Sequence, residues 1–309
     1  MTLLFSSDSD PPELWRRAFS RAFPDMGFRI WPDCGPLEDI RYALVWRPEP
    51  GLLARLPNLK AILVLGAGVD GVLSDPDLPA SIPVIRLLGA GMPAPMAEYA
   101  MYAVMHFQRH MQTYPAQQRN SLWRRIPWAL AGDWPVGVMG LGVIGGLVAS
   151  RLAACGYPVA GWARAPRSLE GVEVFGGRDR LKDFLARSRV VINVLPLTAE
   201  TRDILNASAF SAMPRGSYVV NIGRGTHLVE SDLIAALDSG QLDGAMLDVF
   251  REEPLPASHP FWRHPKIVVT PHAAAPTIIA AAEIQVIENI RRLERGEQPL
   301  GVVDRKKGY

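Results

Sequence analysis

Three polar residues stand just beyond short apolar runs in the second half of the chain: Arg224 in Asn221-Ile-Gly-Arg-Gly, Glu253 in Asp248-Val-Phe-Arg-Glu-Glu-Pro, and His272 in Thr270-Pro-His-Ala-Ala. An imidazole titrates near neutral pH and can give or take a proton. A carboxylate beside it would stabilise the imidazolium and fix the ring. A guanidinium can clamp a substrate carboxylate in a bidentate pair and polarise the carbonyl next to it. Singly, each has an ordinary explanation: a surface ion pair, a loop carboxylate before proline, a strand-end cap. At one sheet edge together they would form an acid/base site for a small acid.

A glycine pattern suggests what such a site would work with. The run Val136-Gly-Val-Met139 leads into Gly140-Leu141-Gly142-Val143-Ile144-Gly145, and a helical pattern follows from Gly146. Between strand and helix, this spacing is a dinucleotide-binding turn. Gly140 permits the sharp turn, Gly142 lets the backbone approach a pyrophosphate, and Gly145 lets the helix pack on the strand. The first free amides of the helix would receive the phosphate charge. About 20 positions on, at the end of the next strand, an acidic residue would bind the ribose hydroxyls of NAD. Ala163 stands there, followed by Arg164, Arg167 and Ser168. With no carboxylate to repel a 2′-phosphate and two guanidinium groups to bind one, the cofactor expected is NADP(H), with NAD(H) as the weaker alternative. Hydride delivery to a ketone leaves negative charge on its oxygen, which is the task for the proton on His272.

These residues need a scaffold. Short apolar runs alternate with helix-like segments throughout, the pattern of parallel strands joined by crossover helices. The fold class expected is α/β, with two doubly wound, Rossmann-like parallel-sheet domains and a cleft between them that closes on both ligands. Runs at Tyr42–Trp46, Ala61–Leu65 and Ile82–Ile85 make one small sheet. A new unit begins near Pro93, with helical spacing from Met96. Six strands follow: Val136–Met139, Val159–Trp162, Val190–Val194, Ser217–Asn221, Gly244–Asp248 and Ile267–Thr270. An amphipathic helix from Thr277, ending by Gly296, crosses back. The domains expected are 1–95 with 276–309, binding substrate, and 96–275, binding the dinucleotide. The stretch at about 111–135, with Trp123, Trp128 and Trp134 in or beside it, is too long for a structureless loop and reads as a dimerisation arm, or as packing on its own domain.

Composition limits the alternatives. Among 309 residues, 33 basic and 31 acidic side chains give a formal charge of +2, too small a field to hold nucleic acid or a bare membrane surface. Cys34 and Cys155 are too few for a disulfide framework, which fits a cytoplasmic protein. The N-terminus lacks the features of a secretory signal, and no apolar run reaches bilayer length. His106 and His110 lie four apart on a helix but lack a third ligand, so no metal is expected. His227, His259 and His264 fall in polar loops, with His227 close enough to the Arg224 turn to touch substrate. In the first domain, Leu65-Gly-Ala67-Gly68-Val-Asp70 follows a strand. Small residues there can form a nest of amides for a carboxylate, or simply a turn.

The chain resembles the D-isomer-specific 2-hydroxyacid dehydrogenases nearly end to end, most closely a subgroup that reduces glyoxylate and hydroxypyruvate. The motifs carrying the likeness are Ala43-Leu-Val-Trp46, Met96-Ala-Glu-Tyr99, Leu195-Pro-Leu-Thr198, Gly244–Phe250, Glu253-Pro-Leu-Pro256, Trp262-Arg-His-Pro265 and the tail Val303–Tyr309. The resemblance implies that Arg224 binds substrate, His272 is the general acid/base and Glu253 supports it. It further implies that Asp248 meets the nicotinamide carboxamide, and that Leu195, Pro196, Thr201, Ile222 and Gly223 line the cofactor site. Ala67 and Gly68 would bind the substrate carboxylate, Trp46 would lie against substrate, and Trp123 would reach into the partner's site in a homodimer. Ala163 agrees with an NADP-preferring subgroup. Two other readings stay open: a reductase of a larger 2-keto acid, decided by pocket volume, and a non-catalytic nicotinamide sensor on the same fold.

Overall fold

The computed structural model describes residues 1–165 and 167–308, so Pro166 and the final Tyr309 of the tail motif lie outside the described residues. The chain forms two compact units, Met1–Met92 with Thr277–Tyr309, and Pro93–Pro276.

In the smaller unit five parallel strands, β1 (Thr2–Ser6), β2 (Gly27–Ile30), β3 (Ile40–Val45), β4 (Ala61–Val64) and β5 (Val84–Ile85), lie in the order β2-β1-β3-β4-β5. Two of these go beyond the three runs expected. β1 pairs on both sides and buries Leu3, Leu4 and Phe5 completely, but four apolar letters at a chain start give no period to read. β2 is an edge strand with no buried residue. Helices α1 (Pro12–Ala22) and α2 (Asp70–Leu73) accompany this sheet.

The larger unit opens on α3 (Pro93–Gln108), which begins three residues before the expected Met96. Proline is tolerated in the first turn, where its missing N–H has no intrahelical partner to lose. There follow α4 (Tyr114–Arg119), β6 (Val136–Met139), α5 (Val143–Ala154), β7 (Val159–Ala163), β8 (Val172–Gly176), α6 (Leu181–Ala186), β9 (Val190–Asn193), α7 (Ala207–Ala212), β10 (Ser217–Asn221), α8 (Glu230–Asp238), β11 (Leu242–Leu247) and β12 (Ile267–Val269). The sheet is parallel and seven-stranded, in the order β12-β11-β10-β9-β6-β7-β8. The extra strand over the six expected is β8, an edge strand in which only Phe175 is buried, so its sequence carries no continuous apolar run.

The central strands β6, β9 and β10 are buried throughout, because helices cover both faces of a parallel sheet. Each large apolar side chain so buried contributes about 1.5–3 kcal/mol. The chain reverses direction across the sheet between β6 and β9, and ligands of open α/β sheets bind beyond the carboxyl ends of strands at that switch point. Returning to the smaller unit, α9 (Ile279–Glu294) buries Ala282, Val286, Asn289 and Ile290 at helical spacing.

Trp134 belongs to the core of the larger unit, with its ring centroid 5.9 Å from that of Tyr218. It is therefore not an outward-facing member of the arm. Trp123 is 99% exposed, and Trp128 is half-exposed under the Arg109 guanidinium at 4.1 Å.

Candidate active site

The strands that precede Arg224, Glu253 and His272 are β10, β11 and β12, consecutive neighbours in the sheet. Parallel pairing brings their carboxyl ends to one edge. His272 Nδ1 lies 2.9 Å from Glu253 Oε2. The other oxygen, Oε1, accepts the Phe250 amide at 2.9 Å, so the carboxylate is aimed at the ring by its own loop. The Glu253 side chain is 14% exposed and that of His272 is 34% exposed, leaving the imidazole reachable while its partner is largely covered.

His272 adopts φ +54, a left-handed conformation that costs a non-glycine residue free energy and needs surrounding support. Its support is Asp248. The Asp248 backbone oxygen accepts the His272 amide at 2.9 Å. Oδ1 accepts the Thr270 hydroxyl at 2.6 Å and the Ala273 amide at 2.8 Å, and Oδ2 accepts the Ala274 amide at 3.0 Å. Since Thr270 spends its proton on Asp248, the Tyr99 hydroxyl donates to Thr270 Oγ1 at 2.6 Å. Burial is the main cause that pushes the Tyr99 phenol up to about 12, which keeps it a donor at working pH. Asp248 thus ties down residues 270–274. Sequence reasoning assigned it only a cofactor contact and missed Tyr99 and Thr270 in this chain.

Arg224 is half-buried beyond β10. Its Nη1 donates to the Gly223 carbonyl at 2.8 Å. The turn behind it abuts the Phe250–Arg251 backbone so closely that a side chain on Gly225 would overlap it. The guanidinium loop and the loop carrying Glu253 are therefore packed backbone to backbone.

The glycine turn lies beyond β6. Gly140 has φ +96, which only glycine adopts freely. An added methyl at Gly145 would run into the Gly140 carbonyl oxygen and come within 2.8 Å of Val194 Cγ2. At Gly142 the same methyl would meet nothing within 4 Å. The turn is packed tight behind and open in front, above the first amides of α5, whose first turn carries no acid and no side-chain cap. Val143 is exposed there, Ile144 half-buried and Leu141 buried. These residues fit a dinucleotide pyrophosphate. Ala163 ends β7, Arg167 Nη1 donates to the Leu141 carbonyl oxygen, and Arg164 lies 3.7 Å from Glu200. Arg164, Arg167 and Ser168 are exposed, with Arg167 against the turn's own backbone, and there a 2′-phosphate would find its counter-charge.

Beyond β9, Leu195 is buried, Pro196 is exposed, and Thr201 Oγ1 donates to the Pro196 carbonyl at 2.8 Å. Ile222 and Gly223 are buried beyond β10. In the smaller unit, Trp46 follows β3 and packs over Gly66, where any side chain would strike its ring. Ala67 and Gly68 follow β4, and the Arg86 guanidinium donates to the Ala67 carbonyl at 3.4 Å.

Residues 101–274 match the model of the D-isomer specific 2-hydroxyacid dehydrogenase NAD binding domain. The chain is 46% identical over 300 residues to a glyoxylate/hydroxypyruvate reductase A of Photorhabdus laumondii, covering 96% of each chain. The chain belongs to the D-isomer specific 2-hydroxyacid dehydrogenases. A second relative in this family, the glyoxylate/hydroxypyruvate reductase A of Salmonella typhimurium, is 44% identical with both chains fully covered. Among solved dehydrogenases, one from Xanthobacter autotrophicus in complex with NADPH and MES superposes with TM-score 0.94 at 42% identity, covering 100% of this chain and 99% of the other. An NADPH-dependent glyoxylate/hydroxypyruvate reductase from Sinorhizobium meliloti, in complex with NADP and sulfate, does so with TM-score 0.93 at 37% identity over the whole of both chains. The resemblance read from the motifs and the α/β class are both borne out.

The expected polar loop around His227 is corrected: the ring has no accessible surface, so it cannot touch substrate from there. A signal was available. Asn193 and Asn221 end otherwise apolar buried strands, and a buried amide needs partners.

Proposed function

We propose that this dehydrogenase reduces small 2-keto acids with NADPH: glyoxylate to glycolate and hydroxypyruvate to D-glycerate. The observation that carries the reading is the 2.9 Å contact of His272 with Glu253 at the sheet edge that also carries Arg224. Full-length likeness to reductases named for these substrates gives the substrate class. The glycine turn, with Gly140 to Gly145, would hold the pyrophosphate, and Arg164, Arg167 and Ser168 the 2′-phosphate. Leu195, Pro196, Thr201, Ile222, Gly223 and Asp248 would line the rest of the cofactor's place.

When bound, the nicotinamide supplies a hydride to the carbonyl carbon. Arg224 clamps the substrate carboxylate and polarises the adjoining carbonyl. With Nδ1 engaged by Glu253, His272 delivers the proton from Nε2 to the oxygen on which charge develops, and Glu253 holds the ring in that orientation throughout. Hydride and proton together turn the keto acid into the hydroxy acid, and reversal uses His272 as the base.

The exposed arm, with Trp123, Leu122 and Leu130 turned outward, supports a homodimer in which Trp123 is offered to a second copy. No helix among the described residues is long and apolar enough to cross a membrane. With two unpaired cysteines as well, the reading is a cytoplasmic enzyme.

The test is NADPH oxidation with glyoxylate, hydroxypyruvate, pyruvate and phenylpyruvate, repeated with NADH. Fastest turnover of the two smallest substrates with NADPH is the expected result. Preference for phenylpyruvate would move the assignment to larger keto acids, and an Arg224→Ala enzyme of undiminished activity would remove the clamp.

A further inference from the structure

His227 lies three residues beyond Arg224 with no accessible surface. Both nitrogens of this buried ring meet groups of fixed polarity. The Arg224 backbone N–H, which can only donate, reaches Nδ1 at 3.1 Å, and the Asn193 side-chain amide reaches the same atom at 2.8 Å. Asn193 Oδ1 accepts the Leu195 amide at 3.2 Å, so the NH2 end of that side chain faces His227. Nε2 faces the Pro196 carbonyl oxygen, which can only accept, at 3.3 Å. One form of the ring satisfies all three: neutral, with its proton on Nε2.

The network continues through Asn221. Its Oδ1 accepts from Asn193 Nδ2 at 2.9 Å and from the Gly223 amide at 3.2 Å, and its Nδ2 donates to the Arg224 carbonyl at 3.0 Å. The amide and the carbonyl of Arg224 are thus each held by a buried side chain, His227 on one side and Asn221 on the other. β9 and β10 are parallel neighbours whose ladder ends with Asn193 and Asn221. The loops beyond meet again through the backbone only at Asp203–Thr226 and the Leu205–Leu228 bridge, which leaves a gap at Leu195–Pro196 and Arg224. His227 joins those loops across the gap.

We propose that His227 is a positioning residue with two separable functions: Nδ1 fixes the backbone from which the Arg224 guanidinium leaves, and Nε2–H fixes the Leu195–Pro196 segment on the cofactor side. The inference rests on the reading of Arg224 as the substrate clamp. A long side chain magnifies a small error at its backbone, and misplacement by about 1 Å can cost about a hundredfold in rate.

Three substitutions in the full chain separate the two functions. In His227→Asn, Oδ1 takes the place of Nδ1 but the side chain ends short of Pro196. In His227→Gln, the terminal amide reaches the place of Nε2 but nothing accepts at Nδ1. His227→Leu keeps bulk and loses both. With steady-state kinetics, the Gln enzyme should raise the glyoxylate KM about tenfold or more with the NADPH KM nearly unchanged, the Asn enzyme should show the reverse, and the Leu enzyme both defects. A merely structural histidine would lower Tm in all three without this crossing. Equal effects of Asn and Gln on the two KM values overturn the proposal, and so does a Leu enzyme with both values within about twofold of wild type. If the Leu enzyme fails to fold, the Asn and Gln pair decides alone. Arg224→Ala is the control. Unchanged glyoxylate KM there sinks the clamp reading itself, whereas a large loss there beside flat His227 variants sinks only the tether.

Discussion

His272 reaches Glu253 from a left-handed backbone conformation, Nδ1 to Oε2 at 2.9 Å, while the second oxygen of that carboxylate is occupied by the Phe250 amide. The carboxylate therefore has little freedom to turn away. The ring is held at one nitrogen and presented at the other, as a directional proton donor requires.

Glu253→Gln should lower kcat for glyoxylate by about ten- to a hundredfold, and His272→Gln by about 10²- to 10⁴-fold, since the first removes the support and the second the acid itself. Neither change should weaken NADPH binding measured by nicotinamide fluorescence. Wild-type turnover in the His272 variant would rule it out as the acid.

Cofactor choice should follow Ala163 and Arg167. Ala163→Asp places a carboxylate where a 2′-phosphate would lie, and should cut kcat/KM with NADPH by about a hundredfold while sparing or raising that with NADH. Arg167→Ala should lose about tenfold with NADPH alone. Equal losses with both cofactors would place the phosphate elsewhere.

Gly145→Ala pushes a methyl into the Gly140 carbonyl and the Val194 side chain. Overpacking of this kind costs about 1–3 kcal/mol. The expected outcome is a lowered Tm together with weakened NADPH binding, because the same glycine turn serves both. Unaltered values of the two would mean that the helix can move away at no cost.

Burial holds the His106 imidazole below its ordinary value of 6.5, and its Nε2 is a buried nitrogen without a hydrogen-bond partner in the described residues. Below about 6.5 the unfolded chain binds a proton that the folded chain resists, so stability is present above that pH and is lost as pH falls through the folded-state value. Lowering pH from about 7.5 to about 5.5 should reduce Tm more in the wild type than in His106→Met. Parallel curves for the two proteins would remove burial of this ring as the cause.

Leu130→Asp sets a charge on the most exposed leucine of the arm. If the arm joins two copies, sedimentation should show a shift toward the single chain with Tm in the larger unit little changed. An unchanged mass would move the proposed interface off this segment.

The proposed cofactor site was legible locally. Gly140, Gly142 and Gly145 stand within one turn, and the missing acid at Ala163 is one letter at a countable distance, so spacing alone carries the proposed chemistry. The central strands were legible because strands buried on both faces read as unbroken apolar runs. β8 and β2 were not, because an edge strand satisfies its sheet with few buried side chains.

The proposed acid/base pair was legible only as types. Nothing in the 18 residues between Glu253 and His272 says that the two side chains touch; that follows from β11 and β12 lying side by side, with Asp248 drawing residues 270–274 into place. His227 marks the limit most clearly. By itself the sequence determined which turn could take a phosphate and which residue types stood beyond the strands. Only the tertiary structure decided which of them meet, and it turned a histidine read as a loop residue into a buried one. Such contacts depend on strand order and loop direction, and neither leaves a period in the chain.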